Sequence, residues 1–104
     1  MLGVEVTITR FVDDAQPGWV ECLLVDARGK KHLFIEKIPV VTLEDLDAGS
    51  AYPRIGIIAC ELVERQRFDG REIVKVDTAK PWAVESVDCK TSFDVLSEQL
   101  VELN

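Results

Sequence analysis

The sequence predicts an all-β protein, a small antiparallel barrel of six or seven strands. Apolar and polar residues alternate with a period of two in short segments such as Glu72–Asp77, which is the strand period. Clusters of turn-forming residues separate these segments, and no stretch has the length and spacing of a long helix. With 104 residues, the chain is predicted to form a single domain (residues 1–104) with a core of its own.

The first strand is predicted over Gly3–Val12, where Val4, Val6 and Ile8 alternate with polar residues. Phe11 breaks the alternation, which indicates a bulge or the end of the strand. A turn-forming cluster, 13–18, follows.

The second and third strands are predicted to form a hairpin. Trp19–Val25 has apolar residues on both faces, so we expect a central strand covered on both sides. Asp26–Lys30 contains Gly29 near its end, as a type I turn followed by a left-handed residue requires. The third strand, Lys31–Ile38, is expected to end at Pro39 or to become an edge strand there, because proline lacks a backbone donor.

The middle of the chain combines the least strand-like stretch with the longest strand. Thr42–Pro53 is predicted to be irregular, with Thr42 as the N-cap of one or two helical turns. Ile55–Arg67 is long and apolar on two faces, which predicts a bent strand that serves two sheets. Phe68–Arg71 contains Asp-Gly, a strong hairpin signal.

Three further strands are predicted in the last third of the chain: Glu72–Thr78, Trp82–Val87 and Ser92–Leu96. The segment Ser97–Leu103 then reads as a short helical turn that docks its apolar residues on the core. In the alternative interpretation, Phe93–Leu103 forms one C-terminal helix, because its apolar residues also fit a helical spacing.

The charge and the cysteines restrict the class of partner and the location. The chain has 19 acidic and 12 basic residues and a net charge of −7, which repels nucleic acid and favours a partner with a basic surface. No apolar run reaches the ~18–20 residues that span a membrane, and the N-terminus lacks the pattern of a signal peptide. Three widely spaced cysteines do not form a disulfide framework. We therefore expect a cytoplasmic protein.

No catalytic residue, metal site or cofactor is predicted. Cys22 and the single histidine, His32, lie on strands expected to pair, but a cysteine used as a small apolar side chain is the commoner case. The three cysteines and His32 lack the paired spacing of a zinc site. The run Asp45–Gly49 lacks the ligands that complete a calcium loop.

Five residues are the candidate partner-binding set: Tyr52, Pro53, Arg54, Trp82 and Trp19. The first three lie in the irregular segment, and loops held by a rigid scaffold often carry contacts. Trp82 is expected beside that loop. Both tryptophans follow turns, where capping of the core is the preferred interpretation and a partner contact is the alternative.

Asp77, Glu85 and Asp94 are the candidate acidic patch, because strand spacing allows them to share one face. Ordinary outward-facing strand acids are the preferred interpretation, and a weak metal site is the alternative.

The chain also resembles known proteins in three short stretches. Its ending, Ser92–Val95 followed by Ser97–Leu100 and Val101–Leu103, resembles the close of SH3-like barrels. The runs Tyr52–Gly56 and Val76–Trp82 resemble stretches of small bacterial proteins without an assigned function. This resemblance implies an SH3-like fold and no catalytic residues.

Three functional hypotheses follow. The favoured one is a non-enzymatic module that docks a basic partner protein, for example as an inhibitor or immunity protein of a basic effector. The second is a ligand-binding protein or enzyme with a pocket at the barrel mouth, using His32, Cys22 or the acidic patch. The third is an accessory domain that self-associates, as a homodimer, through a strand edge.

Overall fold

The computed structural model describes residues 1–103 and consists mainly of antiparallel strands that form a half-barrel. The predicted fold class is confirmed. The elements are β1 (Leu2–Asp13), β2 (Trp19–Val25), β3 (Lys31–Lys37), α1 (Ile38–Val41), β4 (Arg54–Phe68), β5 (Arg71–Asp77), β6 (Ser92–Leu96), a 3-10 turn (Ser97–Gln99) and β7 (Leu100–Glu102). Within the described residues, no helix has the length and apolar character needed to cross a bilayer.

The sheet is arranged around β1. The strand order is β3-β2-β1-β4-β5-β6, and β7 pairs with the first residues of β1. One edge of β1 pairs with β4 from Leu2 to Ile8. β1 also pairs with β7 over residues 2–4 and with β2 from Thr7 onward. The register with β2 shifts after Ile8 and again after Phe11, which confirms the predicted bulge.

β4 is the bent strand that the sequence predicts. It pairs with β1 as far as Cys60 and with β5 from Glu61 onward, with a register shift after Leu62. The strand therefore belongs to both halves of the barrel. Its hairpin to β5 turns through Asp69 and Gly70, which have φ angles of 52° and 74°, as a type I′ turn requires.

The core fills the concave side of the half-barrel. The rings of Phe34 and Phe93 meet edge to face at 5.5 Å, a favourable aromatic arrangement. Most other core side chains are β-branched residues from alternate strand positions, such as Val4 and Ile8 of β1. Ile38 and Val41 of α1 and Val84 of the 78–91 loop close its ends.

The predicted strand Trp82–Val87 is wrong, because this stretch lies in the irregular 78–91 loop. Val84 and Ser86 are buried, which explains their strand-like alternation. Their amides, however, bond to loop and turn carbonyls at Thr78 and Lys90. The Thr78 hydroxyl also donates to the Val84 carbonyl at 2.6 Å. The Val87 amide bonds to the Leu33 carbonyl of β3 at 2.8 Å, but residues 82–87 are not part of a strand. Burial thus imposes the period of two here without a strand.

Two expectations for the first half of the chain also need correction. β2 is central as predicted, but only its inner face is covered, and Val25 on the outer face is exposed. A helix does not begin at Thr42: α1 ends there, and the Thr42 amide bonds to the Ile38 carbonyl. Pro39 explains the shift, because its fixed φ suits the first turn of a helix.

The C-terminal helix alternative is wrong, whereas the predicted short helical turn is confirmed. The Gln99 side chain accepts a hydrogen bond from the Leu96 amide at 2.8 Å, which ends β6 in the 3-10 turn. Leu100 then pairs with Val4 of β1. This last strand, rather than Trp82–Val87, supplies the seventh strand.

We expect Phe34→Ala to lower the free energy of unfolding by roughly 3–5 kcal/mol, because it empties a fully buried site beside Phe93. Urea denaturation followed by tryptophan fluorescence measures the loss. The neighbouring Leu33, which is 38% exposed, is the matched control, and Leu33→Ala should cost about 1 kcal/mol or less. Equal losses in the two variants would contradict the assigned core.

Candidate functional site

The predicted partner-binding residues do not form one surface. Arg54 lies opposite Ile8, at the end of the β1–β4 ladder where the irregular segment enters β4. Pro81, the neighbour of Trp82, lies beside Leu2 at the other end of that ladder. Six residues separate Ile8 from Leu2, or about 20 Å of strand. The prediction that Trp82 adjoins the 52–54 loop is therefore wrong.

Neither tryptophan caps the core. Trp82 is 60% exposed. Trp19 is half-buried on the outer face of β2, where Lys37 Nζ lies 5.7 Å from its ring centroid in a cation–π contact. The capping interpretation is wrong, because α1 and the 78–91 loop already close the core. Trp82 in particular remains free for a contact.

The predicted acidic patch is only partly assembled. Asp77 and Asp94 lie on the outer face of neighbouring strands β5 and β6, but Glu85 lies in the 78–91 loop. Asp94 forms a 2.8 Å salt bridge with Arg28 and lies opposite Lys75. Nearby cations therefore offset the charge. Within residues 1–103, no three His, Cys, Asp or Glu side chains are placed to hold a metal ion.

His32 bonds to Asp26 rather than to Cys22. The Nε2 atom of His32 lies 2.9 Å from Asp26 Oδ2, and its ring packs edge-on against Phe93 at 4.9 Å. An ionised carboxylate only accepts hydrogen bonds, so Nε2 donates. His32 and Cys22 do not lie opposite one another, because their β2–β3 partners are Leu24 and Phe34.

Asp26 organises the β2–β3 hairpin. Its Oδ1 atom accepts hydrogen bonds from the amides of Arg28 and Lys30, both at 2.9 Å. Burial acts to raise the pKa of Asp26, but the hydrogen bonds from His32, Lys30 and Arg28 outweigh it and lower the pKa below its ordinary value. The Asp26–His32 pair is thus structural, and the sequence analysis had placed Asp26 only in a turn.

The buried cysteines have no thiolate character. Burial raises the pKa of Cys22 to about 12 and that of Cys60 to about 11. A thiol reacts as its thiolate, so a raised pKa suppresses nucleophilic chemistry. The Cys22–His32 dyad is therefore unsupported by both geometry and charge state. Cys60 lies on the floor of an open cleft of about 410 Å³ whose lining includes Pro81 and Leu62.

A second cleft, of about 390 Å³, lies at the α1 end of the molecule and is the candidate site. We call it the acidic cleft. Its floor is apolar, with contributions from Pro17, Ile38 and Pro39. Its lining is completed by residues of the 13–18 turn and the 42–53 segment: Gln16, Thr42, Leu43, Glu44, Asp45 and Leu46. The 42–53 segment is the one predicted from the sequence to carry contacts, whereas its neighbour, the 13–18 turn, was predicted only as a turn.

Two glycines allow the walls of the acidic cleft to meet. Gly18 has φ 97°, and a Cβ atom there would lie 2.8 Å from the Ile38 side chain. Its carbonyl accepts the Ile38 amide at 3.0 Å, which joins the 13–18 turn to α1. A Cβ at Gly56 would lie 3.1 Å from the Val41 carbonyl. Glycine at these positions therefore holds α1 against both β4 and the turn.

The two loops that line the acidic cleft carry only negative charges. Residues 13–18 and 42–53 carry five carboxylates and no lysine or arginine. Glu44 is paired with Arg54. Asp45 is exposed and, within the described residues, its side chain forms no hydrogen bond or salt bridge. Leu43, beside these two acids, is fully exposed. The cleft thus combines an apolar floor, a free apolar side chain and negative charge.

Within the acidic cleft, the 42–53 segment is ordered by its own hydrogen bonds. The Asp47 carboxylate accepts the Gly49 amide at 2.8 Å, and the Tyr52 hydroxyl donates to the Asp47 carbonyl at 2.8 Å. Tyr52 also packs against the core. Of the predicted contact residues, Tyr52 and Arg54 therefore hold the loop in place, while Leu43 and Asp45 present its surface.

Comparison with protein-family models, with curated proteins and with solved structures finds no match to this chain.

We expect one fast-reacting thiol in the folded protein. Cys89 is exposed, whereas Cys22 and Cys60 are buried, and at pH 8 the thiolate fraction of Cys22 is roughly one in ten thousand. Titration with a chromogenic disulfide reagent should modify one thiol in the native state and all three in urea. Cys89→Ser should remove the fast phase, and rapid labelling of Cys22 would revive the dyad hypothesis.

We expect Asp26→Asn to destabilise the fold at pH 7 by roughly 1–2 kcal/mol, because the charged acceptor of His32 is lost. The pKa of Asp26 is lowered by folding, so its contribution is present above about pH 4 and is lost as the pH falls further. When thermal unfolding is measured between pH 7 and pH 2, the melting temperature should fall less steeply with decreasing pH in the variant than in the wild type. The exposed Asp14→Asn is the control and should follow the wild type.

Proposed function

We propose that this chain is a non-enzymatic binding module that docks a partner protein with a basic surface in the acidic cleft. The observation that supports this proposal most is the pairing of an apolar floor with two loops that carry five carboxylates and no basic residue. The net charge of −7 adds a field of the same sign.

Two physical effects divide the work of binding. Exposed carboxylates such as Asp45 attract a cationic partner and raise the association rate, an effect that salt screens. Leu43, fully exposed in the free protein, supplies the apolar contact, and burying such a side chain contributes roughly 1.5–3 kcal/mol. Ile38 is buried in the free protein, and Gly18 and Gly56 hold α1 in place. This part of the site is therefore pre-organised, which reduces the ordering cost of binding.

An inhibitor or immunity-type role fits this proposal. A basic effector, such as a nuclease that itself binds phosphate, presents the charge that the acidic cleft attracts. We place the protein in the cytoplasm on the support of its three free thiols. The succession of β6, a 3-10 turn and β7 supports an SH3-like barrel as the proposed fold type.

The pocket hypothesis has less support. Neither the acidic cleft nor the cleft at Cys60 is lined by His32, Cys22 or the Asp77–Asp94 face. His32 already bonds to Asp26, and burial raises the pKa of the Cys60 thiol to about 11. We therefore propose no reaction.

We expect Asp45→Lys to abolish most of the capture of basic proteins from a host lysate at low salt, because it reverses a charge on the cleft rim. Tagged wild-type and variant proteins are compared at about 50 mM and 500 mM salt, and retained proteins are quantified by mass spectrometry. The wild type should retain the partner at low salt and lose much of it at high salt.

Asp88→Lys is the matched control for this experiment. Asp88 is exposed, lies outside the acidic cleft and changes the net charge equally. It should leave capture close to that of the wild type. If both substitutions weaken capture alike, overall charge rather than the cleft governs binding, and the assigned site is wrong.

A further inference from the structure

The β4–β5 hairpin extends beyond the body of the molecule. All eight residues of β4 from Glu61 to Phe68 are exposed. β5 pairs with β6 only as far as Ile73, opposite Leu96, so the hairpin beyond that point is two strands wide. A hairpin that is exposed on both faces gains little from burial in the free protein. We call residues 66–73 the arm.

The tip of the arm combines an apolar side chain with arginines. Phe68 is 66% exposed and pairs with Arg71 across the turn. Arg67 Nη1 lies 3.4 Å from the Gly70 carbonyl. Arg65 forms a 2.8 Å salt bridge with Glu72, whereas Arg67 and Arg71 form no salt bridge among the described residues. The tip therefore presents an aromatic ring flanked by two guanidinium groups that, within residues 1–103, have no carboxylate partner.

These features complement the acidic cleft. An aromatic ring suits the apolar floor at Ile38 and Pro39, and arginine is the side chain best suited to pair with the carboxylates of the rim. Phenylalanine and arginine on one protrusion thus match both components of the cleft.

The arm cannot reach the cleft of its own chain. α1, which lines the cleft, packs over Gly56 near the start of β4. Phe68 lies twelve residues further along the same strand, or about 40 Å of extended chain. The longest dimension of the molecule is 42 Å. Most of the length of β4 therefore separates the cleft from the arm tip.

We propose that the arm tip of one copy of this chain docks in the acidic cleft of a second copy. The inference rests on the proposed function, since it names the chain itself as a partner with the required basic surface. Because the two surfaces differ, the contact is head to tail, and repetition produces rings or filaments rather than a closed two-fold dimer. The like net charge of the copies keeps this association weak.

Two variants isolate the two surfaces. The arm variant carries Phe68→Ser and Arg71→Glu, and the cleft variant carries Leu43→Ser and Asp45→Lys. All four positions are exposed, so both variants should fold, which circular dichroism checks. Sedimentation equilibrium up to about 1 mM protein measures the average mass. The wild type should exceed the mass of a dimer at high concentration, and each variant alone should remain a monomer.

An equimolar mixture of the two variants is the decisive sample. The arm variant retains an intact cleft, and the cleft variant retains an intact arm, so the mixture should form a 1:1 dimer that grows no further. A wild type that stays monomeric, or a mixture that stays monomeric, would overturn the proposal. Association that persists in the arm variant alone would do the same, because it would indicate pairing through a strand edge.

A control variant and a peptide titration separate this inference from the proposed function. Val87→Ser with Asp88→Lys repeats the cleft substitutions at exposed positions elsewhere and should associate like the wild type. A short arginine-rich peptide, titrated into labelled wild-type protein, should shift the amide resonances of residues 42–46. Shifts without self-association would overturn the head-to-tail contact alone, whereas a peptide that leaves these resonances unchanged would count against both proposals.

Discussion

The structure depends on the pairing of β1 along both of its edges. The register that places Leu2 opposite Cys60 and Ile8 opposite Arg54 positions β4. Every other strand pairs with β1 or β4 directly or through one intervening strand. A shift of one residue would turn the buried face of β1 toward solvent. The same register determines where the irregular segment enters β4. The backbone pairing of β1 with β4, rather than the side chains of the cleft, therefore determines where the cleft lies.

Two glycines, Gly18 and Gly56, allow α1 to pack closely against the 13–18 turn and β4, which forms one wall of the cleft. At Gly18 and Gly56 the absent side chains leave room for Ile38 and for the Val41 carbonyl, so a helix of only four residues is held from two sides. A helix this short has little stability of its own. Tertiary contacts therefore stabilise it, and the charged loops can vary in detail without loss of the floor beneath them.

Local sequence patterns correctly predicted the strands in which side chains on one face are buried because the strand pairs within the sheet. Alternation identified β1 and β6 and the inner face of β2, and turn chemistry identified the Asp69–Gly70 hairpin. The same reasoning failed at Val84 and Ser86, where a loop buries alternate side chains although it is not a strand. Periodicity reports burial, and a strand is only one way to achieve it.

The site was less accessible to sequence reasoning than the fold. The 42–53 segment stood out because it lacks alternation, but nothing local indicated that Pro17 would lie beside it. That proximity arises from pairing between strands distant in the chain. The same holds for Trp82, because turn chemistry could not place its neighbour Pro81 beside Leu2 at the other end of the β1–β4 ladder. The sequence does show that residues 13–18 and 42–53 contain no lysine or arginine. This observation indicates a negatively charged surface only once the structure shows that the two loops are neighbours.

The pairing of β7 with β1 also constrains how the protein reaches this state. Residues 2–4 form their ladder with residues 100–102, so one edge of the first strand remains open until the last strand has been made. Contacts so distant in the chain slow folding, because a large loop must close before they contribute stability. In a partly folded chain, residues 2–4 therefore present unpaired backbone groups on that edge, and an unpaired strand edge is a place where another chain can add.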